Sequence, residues 1–165
     1  MPLSEFLSAE RIVVLADAGS REAVIDAAAQ LLAGDASVAG TAAAIADSLR
    51  QRERMGSTAI GHGVAIPHGR NAAFGATRAA FLRLVPAVDF SAADGEPVDL
   101  VFAMAVPADF NQQHLQLLSD IAERCADPAF RAALRDAPDV QALRVLLLDA
   151  RAPVGNEFRG MASHG

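Results

Sequence analysis

Apolar and polar positions along the chain follow two periods in turn. Residues 11–15, Arg-Ile-Val-Val-Leu, form a short β-branched run and predict a strand. Beyond it, Val24, Ala27, Ala28, Leu31 and Leu32 recur at the spacing of one helical face, with Ser20 placed to cap the helix and Gly34 to end it. A second helix is expected from near Ser37, with Ala42, Ile45, Ala46 and Leu49 as its stripe; it runs through residues 50–54 and stops before Gly56. Residues 56–69 are rich in glycine and hold a proline, which forbids a regular helix and predicts a loop with brief extended pieces.

Residues 78–85 and 98–106 read as strands, joined through a turn at residues 94–97, Asp-Gly-Glu-Pro. The second is almost continuously apolar, as a strand covered on both faces would be. After Pro107 the period turns helical, with Leu115, Leu118, Ile121, Ala122 and Cys125 as the stripe. Asp127 and Pro128 make an N-cap and first-turn pair, and Pro138 is expected to open a last helix through Val140, Leu143 and Leu147. Periodicity fades after that. Residues 1–150 read as one domain and 151–165 as a flexible C-terminal tail. Strands alternating with helices predict an α/β fold, a sheet with helices on its faces.

Composition narrows the function. At 165 residues with 52% hydrophobic content the chain can bury a sizeable core, but aromatics are only 5% and Ala, Leu, Val and Ile must fill it. Scarce aromatics argue against stacking on single-stranded nucleic acid, and a net charge of −6 argues against a phosphate-backbone ligand. Cys125 is the single cysteine, which rules out an internal disulfide and disfavours a cysteine-rich metal site. Neither a signal peptide nor a membrane span is visible, so a cytoplasmic protein is expected.

Histidines carry the candidate chemistry. His164 falls in the expected tail, and His62 sits six positions before His68 without matching a zinc-ligand spacing. His68 lies between Pro67 and Gly69, a context that lets its ring project from a defined turn. Imidazole is largely neutral near pH 7, so one ring nitrogen offers a lone pair. The plainer account, a loop histidine bonded to its neighbours, is the commoner one for such a residue. His114 stands at the start of the helix after Pro107, on the side of Leu118, Ile121 and Cys125, which makes it either a core-edge histidine or a second imidazole facing a site. Arg52 is near the end of the second helix, where cations are usually solvated but where a guanidinium can also reach a phosphate. The glycine-rich segment has neither the P-loop order nor the dinucleotide fingerprint.

Arg52-Glu53 followed by residues 57–69, Ser-Thr-Ala-Ile-Gly-His-Gly-Val-Ala-Ile-Pro-His-Gly, resembles the phosphorylation-site signature of the fructose/mannitol type of phosphotransferase-system enzyme IIA. His114-Leu115 resembles that family's second histidine, and the resemblance extends over roughly residues 3–149. It implies a mixed β-sheet flanked by helices on both faces. It implies that His68 accepts a phosphoryl group, that Arg52 pairs with the phosphate, that His114 is the second active-site histidine and that Thr58 steadies the loop. Pro67 and Gly69 belong to the signature as supporting residues, and His62 falls where the family varies. No cofactor or metal is implied. The Gly-Ser-Thr-x-Ile-Gly run and the Val-Pro-Ala-Asp before the second histidine look most like the free-standing nitrogen-regulatory branch. Its members take phosphate from an HPr-like phosphocarrier and act on a regulatory target. Two other readings stay open: a transport enzyme IIA donating to a separate IIB, and a binding module that has lost transfer. Docking is expected on an apolar rim at Ala72, Ala73 and Phe74, with an HPr-like partner bringing positive charge to an acidic chain.

Overall fold

The computed structural model describes residues 3–34, 41–72, 75–109 and 112–148. The expected start of the second helix near Ser37, two of the rim residues, Ala73 and Phe74, and the C-terminal tail at 151–165 lie outside them. Single 3-10 turns at Leu3–Glu5 and Ala9–Arg11 lead into β1 (Ile12–Ala16), followed by α1 (Arg21–Ala33) and α2 (Thr41–Arg54). Three short strands come next, β2 (Ala59–Gly61), β3 (Val64–Ala65) and β4 (His68–Asn71), and then two long ones, β5 (Arg78–Val88) and β6 (Val98–Pro107). Helices α3 (Gln112–Cys125), α4 (Pro128–Asp136) and α5 (Val140–Leu148) complete the order.

Local chemistry sets the helix ends. Ser20 Oγ accepts the Ala23 N–H at 3.1 Å and starts α1, while Gly34 leaves it at a φ of +59° that favours glycine. Asp127 accepts the Ala129 N–H at 2.9 Å and starts α4 with Pro128 in the first turn. The start of α5 differs from expectation. Asp139 caps it by accepting the Ala142 N–H at 2.9 Å, so a side-chain acceptor rather than Pro138 opens the helix.

The strands form a mixed sheet in the order β1-β5-β6-β3-β2, with β4 pairing β6 beyond β3. β1 runs parallel to β5, β5 antiparallel to β6, and β3 and β4 both parallel to β6. Alternate residues of the long strands feed two cores. Ala79, Phe81, Phe102, Met104 and Val106 meet Leu117, Ile121, Phe130, Leu134, Leu143 and Leu147 from α3, α4 and α5. Ala80, Leu82, Val101, Ala103 and Ala105 meet Val24, Ile25, Leu32, Ile45 and Leu49 from α1 and α2 on the other face. Burial from both sides accounts for the unbroken apolar run of β6.

Two stripes shift against the sequence reading. Along α1 the fully buried residues include Ile25, Ala29 and Ala33, while Ala27 and Leu31 are only partly covered, a rotation of the face by about one position. In α3 the buried residues are Leu117, Ile121 and Cys125, and Leu115 is 55% exposed. An i, i+4, i+8 row faces the sheet there, and Leu115 lies off it. Among the described residues no helix is long and apolar enough to cross a membrane.

Candidate functional site

β4 is the strand that carries His68, paired to β6 with His68 opposite Met104 and Gly69 opposite Ala105. His68 is therefore half-buried in a strand and not exposed on a turn, which corrects the sequence reading. Paired residues of neighbouring strands point to the same side, so His68 shares the Met104 face, the one that α3–α5 cover. Gly69 points to the opposite face, toward α2. A Cβ built there would lie 2.5 Å from Ser48 Oγ and 2.8 Å from the Ser48 carbonyl carbon. Only glycine allows α2 to come this close. Its requirement is thus helix-to-strand contact, whereas the sequence suggested room for the imidazole.

That contact brings α2 to the catalytic candidate. Ser48, Gln51, Arg52 and Met55 follow one another along one helical face and line a cleft of about 340 Å³ together with His68, Gly69 and Arg70. Arg52 and His68, picked out separately from the sequence, thus meet at one cavity. Arg52 also donates to the Gly56 carbonyl at 2.8 Å, the helix-end interaction expected of a cation there. Arg70, two residues beyond His68 on the same side of β4, adds a second guanidinium to the cleft. The chain is acidic overall, but its described charges at this cleft are cationic. Met55, 83% exposed, supplies an apolar lip.

His114 is half-buried in the first turn of α3. It heads the row that continues through Leu117 and Ile121, so it stands over the same sheet face as His68. It is not among the described residues lining the 340 Å³ cleft.

The imidazole of His68 is held by its own chain. Nδ1 lies 2.9 Å from the Ile66 carbonyl oxygen. A carbonyl can only accept, so Nδ1 carries the proton and Nε2 carries the lone pair in the neutral ring. The sequence reading placed such an acceptor near Gly69 or on a neighbouring strand; it is two residues before the histidine. Burial holds His68 below the ordinary imidazole value of 6.5. The Ile66 carbonyl and the Glu53 carboxylate pull the other way, and the Arg52 and Arg70 cations reinforce the lowering.

Behind the histidine the loop is tied down. Thr58, which is buried, donates its hydroxyl to Glu53 Oε1 and its N–H to Glu53 Oε2 at 3.3 Å. The Thr58 carbonyl accepts the Ile66 N–H at 3.0 Å, and the Pro67 carbonyl accepts the Met104 N–H at 2.8 Å. Glu53, only 6% exposed, was quoted in the sequence motif without a role. The signal was there: Ile45, Leu49 and Glu53 recur every four residues, which puts a carboxylate on a buried stripe. Ser48, Gln51, Met55 and Arg70 carried no comparable signal, because their cleft exists only once β4 lies beside α2.

His62 occupies the β2–β3 turn at a φ of +58°. Its N–H donates to Asp94 Oδ2 at 3.0 Å and its carbonyl accepts from Arg135 at 2.5 Å, which are turn-fixing roles. Cys125 is buried and its thiol is pushed up to about 12 by that burial, so it offers no thiolate. The arrangement at the cleft suits one kind of chemistry. A neutral imidazole with a directed lone pair, flanked by guanidinium groups, accepts an electrophile that carries negative charge.

Known proteins of one family resemble the chain over most of its length. The family model described as phosphoenolpyruvate-dependent sugar phosphotransferase system, EIIA 2, matches residues 5–150. A nitrogen regulatory protein of Pseudomonas aeruginosa is 37% identical over 149 residues, covering 90% of this chain and 96% of that protein. The crystal structure of the nitrogen regulatory protein IIA-Ntr from Neisseria meningitidis superposes with a TM-score of 0.80 at 35% identity, over 88% of this chain and 98% of that one. The crystal structure of IIA mannitol from Escherichia coli shares the fold, with a TM-score of 0.70 at 23% identity over 85% of this chain and 97% of that one.

Proposed function

The chain belongs to the EIIA 2 family of the phosphoenolpyruvate-dependent sugar phosphotransferase system, and on that premise we propose that it is a phosphoryl-accepting and phosphoryl-donating regulatory protein modified on His68. The observation that carries the reading is the hydrogen bond from His68 Nδ1–H to the Ile66 carbonyl, beside Arg52. It leaves Nε2 as the attacking atom.

The donor is an HPr-like phosphocarrier bearing a phosphohistidine. Nε2 of His68 forms a bond to phosphorus as the donor's nitrogen–phosphorus bond breaks. The donor imidazole departs with that electron pair. The Nδ1 proton stays on His68, where the Ile66 carbonyl spreads the positive charge that develops on the ring. Charge on the three equatorial oxygens is met by Arg52 and by Arg70, with His114 as a further N–H donor from α3. Positioning and electrostatics carry such a transfer, and a guanidinium about 4 Å from a charged oxygen contributes up to ~4 kcal/mol gross at an effective dielectric of 20. The next acceptor is a regulatory target in the nitrogen branch, the reading supported by the similarity to nitrogen regulatory proteins. The family's description as a sugar phosphotransferase system keeps a second reading in view, a transport protein that passes the group to a separate IIB. We assign residues 1–150 to the transfer domain, 151–165 to a tail, and the whole to the cytoplasm, where its phosphocarrier would reside.

The test is direct. The protein is incubated with phosphoenolpyruvate, enzyme I and the HPr-like carrier of its host, with His68→Ala in parallel, and intact mass is followed. One acid-labile phosphoryl group, absent in the variant, is the expected result. No gain with a carrier proven active would overturn the transfer reading. Passage of the group onward to a IIB domain would favour transport over regulation.

A further inference from the structure

We infer that Glu53 is a positioning residue for His68: through Thr58 and the backbone of Ile66 it holds the carbonyl that keeps the ring in its Nδ1–H form, and so decides which nitrogen attacks. This rests on the phosphoryl-transfer reading above and adds to it a residue that makes no contact with the phosphoryl group.

Glu53 is out of place as a core-filling residue. It occupies the buried row of α2 after Ile45 and Leu49, where an apolar side chain would serve the core without a charge to solvate. Its cationic neighbour, Arg21, is 3.9 Å away and one-third exposed, a loose partner for so buried a carboxylate. Its close partners are the hydroxyl and the N–H of Thr58, which is itself 5% exposed. A bidentate hold of this kind fixes both the side chain and the backbone of Thr58.

From Thr58 the connection runs by backbone alone. The Thr58 carbonyl takes the Ile66 N–H at 3.0 Å, and the Ile66 carbonyl takes the His68 Nδ1–H at 2.9 Å. The carbonyl of Pro67, the residue between Ile66 and His68, is pinned to the Met104 N–H at 2.8 Å. Ile66 is thus anchored toward α2 on one side and toward β6 on the other. The intervening hairpin turns at Gly61, His62 and Gly63, all at positive φ, and its pairing is short, with Ala59 opposite Ala65, so Thr58 and Ile66 lie at its open end. Release of Thr58 frees the Ile66 carbonyl to swing from Nδ1. The ring can then carry its proton on Nε2, and that form has no lone pair facing the cleft.

The experiment measures tautomer and transfer separately. Imidazole ¹⁵N shifts of His68 are recorded in the full chain and in Glu53→Ala and Glu53→Gln, alongside kcat and KM for phosphoryl acceptance from the carrier. Glu53→Ala should move the ring toward the Nε2–H form. Its kcat should fall roughly tenfold to a hundredfold, the range typical when the outer partner of a functional imidazole is removed, while KM for the carrier stays unchanged. Glu53→Gln keeps an acceptor for the Thr58 hydroxyl and should recover most of both. A folded Glu53→Ala protein with an unchanged Nδ1–H ring and unchanged kcat would overturn the inference. Should that variant not fold, Thr58→Ala against Thr58→Ser gives the same readouts, and an unchanged ring in Thr58→Ala overturns it equally. Because the tautomer is read without any donor, a wild-type chain that accepts no phosphoryl group while Glu53→Ala shifts the ring would sink the transfer reading and leave the positioning role standing.

Discussion

At His68 the deciding quantity is the fraction of neutral ring. Burial lowers its tendency to protonate, and the flanking Arg52 and Arg70 lower it further against the pull of the Ile66 carbonyl and Glu53. The protonated ring has no lone pair, so phosphoryl acceptance should fall on acidification and rise as pH passes upward through the His68 pKa. Since that pKa is depressed, the midpoint of the rate profile should lie below 6.5. Single-turnover acceptance from a pre-phosphorylated carrier, measured against pH, checks this; a midpoint above 6.5 would mean that the nearby anion outweighs burial and both cations. The identity of His68 as the candidate was legible from its neighbours Pro67 and Gly69 and from the family motif. Its depressed basicity was not, because it comes from residues on another element and from coverage that no local window contains.

At the level of elements, the close approach of α2 to β4 is the feature on which the cleft depends. Gly69→Ala would set a methyl group against the Ser48 backbone, whose carbonyl carbon is 2.8 Å from that position. Overpacking of this kind costs about 1–3 kcal/mol, and each kcal/mol lowers Tm by roughly 2–4 °C in a domain of this size. Thermal unfolding of Gly69→Ala should therefore show a clear drop. Ser48→Ala in the same background should relieve it only in part, since the carbonyl carbon remains; full recovery would place the clash on the hydroxyl instead. The helices themselves were readable in advance where a cap marks them, as at Ser20 and Asp127. The facing of α3 was not. Leu115 and Leu117 are equally apolar, and only the sheet beneath α3 selects Leu117 and leaves Leu115 in solvent.

Across the whole molecule the proposed transfer would draw on three layers: Arg52 from the α1–α2 side and His68 from the sheet, which share the cleft, and His114 from the α3–α5 side. Stability and transfer should then separate. Leu117→Ala and Leu134→Ala each empty a buried position of the same core, at 1% and 0% exposure. Each should cost about 2–5 kcal/mol. Leu117 sits one turn beyond His114 and anchors that end of α3 in the core, whereas Leu134 lies in α4. Leu117→Ala should accordingly slow phosphoryl acceptance more than Leu134→Ala does, at a temperature where urea titration shows both folded. Equal slowing would mean that global stability, and not the placement of His114, governs the rate.

The strands β1, β5 and β6, the order of the helices, the two caps, the doubly buried character of β6 and the motif around His68 followed from the sequence alone. Each depends on residues within a few positions of one another, where period and turn chemistry act. The tertiary structure alone settled the rest: the half-buried strand setting of His68, the need for Gly69, the facing of α3, and the link from Glu53 through Thr58 and Ile66 to the imidazole. These depend on contacts between segments far apart in the chain. Their distances are fixed by how two cores pack on one sheet, and no local pattern of residues encodes them.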